Sequence, residues 1–261
     1  MAGMLVLLSP SKTQDTEIFT PTELFTEPLF EEERWHLVRK IRECPDEEVK
    51  GMMKVSDNLF ALHQLRSERW SKRHAQKDSK QAIHTFAGSV YSAFQDQTFT
   101  KKEYAYMQRT LRILSGLYGV IRPLDLIQPY RLEMGTRFSF TLKGTEYKNL
   151  YEYWSEPVTQ YFCGHKERTI INLASVEYSK VIKRTACNIR FVEVEFLQKK
   201  GKELKQVTIY SKKERGTLAL WIVRNAPKTP SDLQSYTEND YVYSKKLSKD
   251  NKLVFIRKHP S

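Results

Sequence analysis

The sequence has few cysteines, and no long apolar run opens it. Its cysteines, at positions 44, 163 and 187, are far apart and form no Cys-x-x-Cys pair. We therefore predict a reducing compartment and no disulfide framework. The apolar run nearest the amino terminus, MLVLL at 4–8, is far too short to cross a membrane, and no signal-peptide cleavage pattern follows it. These absences predict a cytoplasmic protein with no membrane partner.

Common catalytic motifs are also missing. There is no Gly-x-Ser-x-Gly, no His-Glu-x-x-His and no Cys-His pair at a familiar spacing, and the six histidines form no metal-ligand pattern. A magnesium nuclease would need two or more carboxylates to converge, and the candidates near the motifs below are Asp57, Asp125, Glu133 and Glu177. We expect no metal and no cofactor, and catalytic residues stay unassigned.

Positive charge is abundant. Lys and Arg number 43 against 31 Asp and Glu, which gives a net charge of +12. A basic stretch, RSERWSKRHAQKDSK at 66–80, adds a local concentration. Such an excess favours polyanionic partners such as nucleic acid, although an inert basic surface has the same composition.

Apolar periodicity predicts one mixed α/β domain over residues 4–261, with a central mixed sheet surrounded by helices. Strands are expected at 4–9, 169–174, 189–197 and 206–210, with a hairpin at the carboxyl end. Helices are expected at 30–44, 56–70, 99–116, 149–163 and 214–226. Residues 81–91 indicate a strand that leads into a glycine turn and a helix.

Two glycines stand three positions apart in LSGLYGVIRPLD, residues 114–125. Gly116 can cap the preceding helix and Gly119 can turn the backbone again before Arg122. Two helices joined in this way point N–H groups outward, where they can bind a phosphate without reading a base. The pattern is that of a helix-hairpin-helix with one extra residue between the glycines. A plain glycine cap and tight turn is the alternative.

Charged residues follow among apolar neighbours in PLDLIQPYRLEMG, residues 123–135. Such charges are usually paired, so Asp125 and Glu133 can brace the loop while Arg131 faces a phosphate. Tyr118 and Tyr130 can stack on an unpaired base, or they can be core residues with hydroxyl partners.

Two short basic motifs lie at the ends of predicted strands. Lys12, in SPSKT, follows the first strand, a common place for ligand-binding loops. SKKERG at 211–216 is expected between a strand and a helix, where helix N–H groups and basic side chains can meet an anion. Either motif can also be a solvated basic loop.

These motifs, together with NLASVEY at 172–178, resemble those of the YaaA family, the peroxide-stress proteins of the DUF328 group. The resemblance extends over almost the whole chain. It implies a mixed α/β fold, a positively charged cleft, a helix-hairpin-helix element and binding to duplex and branched DNA. The implied setting is protection against hydrogen peroxide, with links to limiting free iron and to recombinational repair.

The resemblance and the residue chemistry together give two sets of candidate residues. The predicted DNA-binding residues are Lys12, Gly116, Gly119, Arg122, Arg131, Lys212, Lys213 and Arg215. A possible pocket comprises Ser9, Asp57, Glu133, Asn172 and Ser175. The chain departs from the family pattern at Ser11, Ser211 and Glu214, each of which replaces an alanine, and Glu214 places a negative charge in the basic motif.

Two functions are consistent with these candidates. The first is a sequence-independent DNA-binding protein, favoured as a monomer, that contacts phosphates. The second is an enzyme on a nucleotide-like or phosphorylated small molecule, with Glu133 or Asp57 as acid or base, or a magnesium-dependent nuclease in the same cleft. We favour the first on charge and resemblance, and direct iron binding has no ligand cluster to support it.

Overall fold

A mixed sheet of eight strands forms the centre of the computed structural model, which describes residues 3–17 and 21–258. The strands are β1 (Met4–Leu8), β2 (Lys80–Gln81), β3 (Leu111–Ser115), β4 (Gly119–Ile121), β5 (Leu126–Ile127), β6 (Phe140–Leu142), β7 (Thr145–Tyr147), β8 (Thr169–Asn172), β9 (Arg190–Lys200), β10 (Glu203–Lys205), β11 (Val242–Tyr243) and β12 (Lys252–Lys258). The helices are α1 (Glu31–Glu43), α2 (Asp46–Met53), α3 (Asp57–Arg69), α4 (Ala82–Thr85), α5 (Lys101–Thr110), α6 (Leu150–Cys163), α7 (Val176–Ser179) and α8 (Thr208–Asn225). Short 3-10 helices span Tyr91–Ala93, Pro230–Ser235 and Glu238–Asp240.

The strand order across the central sheet is β11-β12-β9-β8-β1-β3-β4, and β10 pairs with the end of β9. The five inner strands, from β12 to β3, are parallel to their neighbours, whereas β11, β4 and β10 join as antiparallel partners. Two small two-stranded sheets, β2 with β5 and β6 with β7, lie outside it. The chain therefore forms one mixed α/β domain, as the sequence predicts.

The central strand β1 is buried at every position, because strands of a parallel sheet are covered on both faces. Helix α5 packs on β1, and α8 packs on β9 and on α5. The first apolar run of the sequence thus becomes the middle of the core.

The sheet has a topological switch point between β1 and β8. The chain leaves β1 towards the β3 edge, whereas it leaves β8 towards β9 on the other side. In open α/β sheets, the crevice at such a point, outside the carboxyl ends of the strands, is where ligands bind. The segments that follow β1 and β8 are SPSKT and the NLASVEY motif.

Most predicted elements are confirmed. Strands form at β1, β8 and β9, and β11 with β12 forms the carboxyl-terminal hairpin. Helices α1, α3 and α6 correspond to the expected helices at 30–44, 56–70 and 149–163. The expected helix at 214–226 is part of α8, which is longer because it begins at Thr208.

The helix predicted over 99–116 is wrong in its second half. Helix α5 begins with a capping box between Thr100 and Glu103 and ends at Thr110. Residues 111–115 form β3, parallel to β1 and fully buried. Leu111 and Leu114 continue the helical stripe in spacing, but the hydrogen bonds available along β1 decide their conformation.

Two other predictions are also wrong. Residues 206–210 form no strand, because α8 starts within them and its hydrogen bonds are made inside the helix. The stretch 81–91 is the end of β2, the short α4 and the start of a 3-10 helix, rather than a strand followed by a helix.

Candidate functional site

The loops after β1 and β8 are joined at the switch point. The backbone N–H of Ser175 donates to Ser9 Oγ at 2.8 Å, and the two hydroxyl oxygens are 3.3 Å apart. The buried Tyr91 hydroxyl donates to the Ser9 carbonyl at 2.8 Å. Ser9 and Ser175, both predicted pocket residues, therefore meet at the carboxyl edge of the sheet.

Asn172 anchors this edge. It is the last residue of β8 and is buried. Its Oδ1 accepts from the Ala174 N–H at 3.1 Å, and its Nδ2 donates to Glu193 Oε2 at 2.7 Å. Because both ends of the amide are occupied, Asn172 fixes the loop that carries Ser175 and is positioned to brace the site.

Glu133 lies between two cations. Its Oε1 is 3.5 Å from Lys12 Nζ and 3.5 Å from Arg131 Nε. The Lys12 side chain is 66% exposed, whereas that of Glu133 is 14% exposed. One carboxylate thus serves two basic groups. The structure brings together three of the candidate residues, Lys12, Arg131 and Glu133.

The two glycines form a buried β-turn region and not a helix-hairpin-helix. Strands β3 and β4 pair as an antiparallel hairpin, with Ser115 opposite Gly119. A Cβ on Gly116 would lie 2.4 Å from the Leu132 carbonyl oxygen, so its absence lets the 132–134 backbone pack closely. Gly119 has φ +69°, and Trp154 covers it. The expected element is wrong because β1 draws residues 111–115 into the sheet.

Gly116 thus has a different part in the site. It supports the segment that carries Arg131 and Glu133, because that segment's backbone packs directly on it. Its own carbonyl accepts from Trp154 Nε1 at 2.8 Å. Both glycines are buried, and we assign them a positioning role.

Arg122 is occupied within the fold. Its Nε donates to Asp125 Oδ1 at 3.0 Å, and its Nη2 donates to the Glu27 carbonyl at 2.8 Å. Asp125 is fully buried and also accepts from Thr26 Oγ1 at 2.6 Å. Burial raises the pKa of Asp125, and the Arg122 guanidinium opposes that rise. These contacts agree with the prediction that Asp125 is paired and stabilises the loop, and its partner is Arg122.

Asp57 is not brought into the pocket. It is the first residue of α3, its side chain is 85% exposed, and it pairs with Lys50 of α2. Among the contacts of residues 3–17 and 21–258, none joins Asp57 to Ser9, Asn172 or Ser175. Sequence proximity to a motif was no guide here, because α3 starts on the outer surface.

The SKKERG motif lies inside α8 and not in a loop. Gly216 packs on the 3-10 helix at Val90, where an added Cβ would fall on the Val90 carbonyl oxygen. Lys212 and Lys213 are exposed, and Arg215 is half-buried. Because the motif is helical, Lys212 and Lys213 lie on the exposed face of α8, apart from the other residues of the motif.

Glu214 faces the interior. Its carboxylate accepts from the Tyr236 hydroxyl and, at 3.1 Å, from Asn239 Nδ2. Burial raises the pKa of Glu214. The negative charge expected between the basic residues is therefore turned away from Lys212 and Lys213.

The two tyrosines are core residues. The Tyr118 hydroxyl lies 2.9 Å from His74 Nε2 and accepts from the Gln128 N–H at 3.0 Å. The Tyr130 hydroxyl lies 2.6 Å from Ser115 Oγ. Burial raises the pKa of both hydroxyls. The alternative of core residues with hydroxyl partners is the one the structure favours.

A cavity that sequence reasoning missed lies between α3 and residues 129–132. Its volume is about 30 Å³, and its lining includes His63, Arg66, Trp70, Tyr130 and Arg131. Arg66 and Trp70 belong to the basic stretch 66–80, which was the available signal. Their position beside Arg131 depends on the packing of α3 and has no local signature.

Cys163 and Cys187 form a disulfide, with their Cα atoms 5.4 Å apart. The sequence predicts no disulfide framework and did not indicate this single pair, because the end of α6 and the segment before β9 are distant in sequence but neighbours in the fold. Within the described ranges, no group of three or more His, Cys, Asp and Glu side chains could hold a metal ion. Nor does any helix in that part of the chain have the length and apolar character to span a membrane.

Comparison with known families gives one decisive match. The model of the peroxide stress protein YaaA family covers residues 4–247. The chain belongs to the peroxide stress protein YaaA family. The matched range contains β1, the switch point, the Arg131–Glu133 segment and α8, so the candidate site lies wholly within the family region.

Proposed function

We propose that this YaaA-family protein binds duplex or branched DNA without sequence preference, through its phosphates, and so protects DNA during peroxide stress. The observation that carries the proposal is a surplus of cations along the carboxyl edge. Glu133 serves both Lys12 and Arg131, and Glu214 is turned inward from Lys212 and Lys213. Cations without matched carboxylates are the groups that can replace the counterions of a phosphate backbone.

The net charge of +12 supports the same proposal, because a positively charged protein attracts a polyanion electrostatically. No described carboxylate forms an ion pair with Lys212 or Lys213, so both are available to phosphates. The link to limiting free iron belongs to the proposal through the family alone. Its mechanism would be indirect, since the proposal includes no iron ligand.

The test is a binding titration of duplex and four-way-junction DNA against salt, with and without Mg²⁺, in which both binding and cleavage are scored. We expect affinity to fall steeply with salt, since each phosphate contact adds about 0.9 to the slope of log K against log salt. Binding that leaves the DNA intact both with and without Mg²⁺ agrees with the proposal, whereas cleavage only with Mg²⁺ would favour a nuclease.

A pair of lysine variants locates the surface. Lys213→Gln should weaken binding to all sequences alike and reduce the salt slope by about 1. Lys166→Gln is the matched control, because it makes the same charge change on an exposed residue, 80% accessible, before β8 at the opposite edge of the sheet. Equal affinities for the two variants would remove α8 from the binding surface. Absence of binding at low salt would contradict the proposed function altogether.

A further inference from the structure

The cavity between α3 and residues 129–132 combines apolar walls with clustered cations. Trp70 and Leu117 form part of the apolar wall. His63, Arg66 and Arg131 also line it. The three basic side chains come from α3 and from the segment that Gly116 supports, so both sides of the cavity are held by the fold.

These cations are not balanced by carboxylates. Arg66 forms no ion pair within the described residues, and the nearest carboxylate to Arg131 is that of Glu133, which Lys12 shares. The Nε of Arg131 is buried and makes no hydrogen bond among those residues, and the one carboxylate beside it is that of Glu133 at 3.5 Å. A partly buried cation that shares its carboxylate with a second cation is incompletely compensated, so it can accept a further anionic ligand.

The positive charges of Arg66 and Arg131 contribute to lowered pKa values in this cluster. Burial, followed by the charge of Arg131, lowers the pKa of the Arg66 guanidinium. Burial, followed by the charges of Arg66 and Arg131, lowers the pKa of His63. Asp46 opposes this effect at His63, but its carboxylate accepts from Gln64 Nε2 at 2.7 Å on the exposed side of α3.

We propose that this cavity binds the phosphate group of a phosphate monoester, with Arg66 and Arg131 as its ligands and His63 as a third donor. Two guanidinium groups match a dianion in charge, and their planar forks suit phosphate oxygens. The cavity itself is small, about 30 Å³, so the phosphate lies at its mouth, where Arg66 also lines the adjoining groove.

The carrier has a place in the adjoining groove. That groove shares Arg66, Trp70 and Pro129 with the cavity and is also lined by Arg69 and Lys77. Its volume is about 460 Å³, enough for a nucleoside beside the Trp70 wall. The carrier is therefore a free mononucleotide or the 5′ end of a DNA strand. The inference stands without duplex binding, because it requires only the phosphate.

The experiment is an isothermal titration of the full chain with inorganic phosphate. We expect saturable binding, weakened at least about tenfold in Arg66→Gln and in Arg131→Gln. Arg39→Gln, which alters an exposed arginine of α1, is the matched control and should bind phosphate as the parent does. Absence of saturable binding by the parent, or equal affinity of Arg66→Gln, would overturn the inference.

Arg66→Lys covers the case in which a Gln variant fails to fold. It keeps the charge but loses the fork, so binding should fall between the parent and Arg66→Gln. If Arg66→Lys and the parent bind equally while Arg131→Gln also binds unchanged, the cavity is not a phosphate site.

Two further ligands distinguish the source. A single-stranded oligonucleotide with a 5′-phosphate is compared with the same strand bearing a 5′-hydroxyl, and deoxyadenosine monophosphate is titrated in parallel. An Arg66-dependent preference for the phosphorylated strand supports a DNA end, and Arg66-dependent binding of the mononucleotide alone supports a free nucleotide. If the parent protein binds phosphate but not duplex DNA, the proposed DNA function is refuted and this inference remains intact.

Discussion

The arginine beside the β3–β4 hairpin and the arginines that line the cavity between α3 and residues 129–132 differ in their acidic partners. In the hairpin region, Arg122 is held by a fully buried Asp125 and by a backbone carbonyl. In the cavity, Arg66 and Arg131 lie near each other, Arg66 has no ion pair among the described residues, and Arg131 shares the Glu133 carboxylate with Lys12. Arg122 and Arg131 are nine positions apart in the chain, yet Arg122 is held by a buried carboxylate and Arg131 lines the cavity beside Arg66.

The histidines show the same contrast. His74 is buried and contacts the Tyr118 hydroxyl of the hairpin at 2.9 Å, whereas His63 lines the cavity. Groups whose partners lie within the protein stabilise the fold, because their burial is compensated locally. Groups left in surplus contribute little to stability and mark the surface that a ligand can complete. Each prediction below tests one side of this contrast.

The largest effect should come from breaking the partnered pair. Asp125→Ala leaves Arg122, Thr26 and the Arg122 N–H without their acceptor. We expect the free energy of unfolding to fall by about 3 to 5 kcal/mol, the usual cost of removing one member of a buried ion pair. Urea unfolding measures this change.

Glu203→Ala is the matched control for that variant. Glu203 pairs with Lys205 at 2.6 Å, but its side chain is 67% exposed. Solvent screens such a pair, so the free energy of unfolding should stay nearly unchanged. Equal losses in the two variants would show that burial does not separate the hairpin from the surface.

The next effect concerns the glycine that joins the two regions. Gly116→Ala places a Cβ 2.4 Å from the Leu132 carbonyl, so the hairpin or the Arg131 segment must shift. We expect a loss of about 2 to 3 kcal/mol in unfolding free energy. Gly51→Ala in α2, where an added Cβ meets nothing within 4 Å, should instead stabilise the protein by about 0.5 to 1 kcal/mol. A neutral Gly116→Ala would contradict the close packing of these segments.

A pH effect should follow from His74. Burial, aided by the charge of Arg34, lowers its pKa from 6.5 to about 3, so the folded state favours the neutral ring. This stability is present above the unfolded pKa and is lost as pH falls below it, by about 2 kcal/mol at pH 5.

The comparison of the parent with His74→Gln isolates that contribution. Unfolding free energies are measured in urea near neutral pH and near pH 5, and the parent should lose about 2 kcal/mol more than the variant between them. Identical losses would mean that His74 protonates in the fold without cost.

The smallest effect on stability should come from the cavity. Arg66→Gln removes a charge that repels Arg131, and the site is partly solvated, so unfolding free energy should rise by less than about 0.5 kcal/mol. Thermal unfolding of the parent and variant measures it. A marked loss of stability would show that Arg66 is bound within the fold, and the contrast with Arg122 would then fail.

The sequence grouped some of the candidate residues that lie together in the structure, but not the local structure around them. Lys12, Arg131 and Glu133 lie together, and Ser9 and Ser175 meet at the switch point. SPSKT and NLASVEY each follow a buried apolar run, and neighbouring parallel strands bring their carboxyl ends to one edge. These residues could therefore be grouped without coordinates.

Other assignments were beyond local pattern. The stripe through Leu111 and Leu114 has helical spacing, but pairing with β1 makes it a strand. SKKERG looks like a loop, but Gly216 lets α8 pack on Val90. The sequence did not single out Arg66 within its basic stretch, because Arg131, its neighbour in space, is distant in sequence.

The sequence by itself determined the family, the excess of positive charge and the buried strands at the centre of the sheet, because composition, motifs and apolar runs are properties of the chain. Only the tertiary structure decided which cations have partners. Arg122 finds its acid three residues away, whereas the surplus at Arg66 and Arg131 arises from the packing of α3 on residues 129–132. Charge compensation depends on distances in space and on exclusion of solvent, and neither is encoded in local spacing.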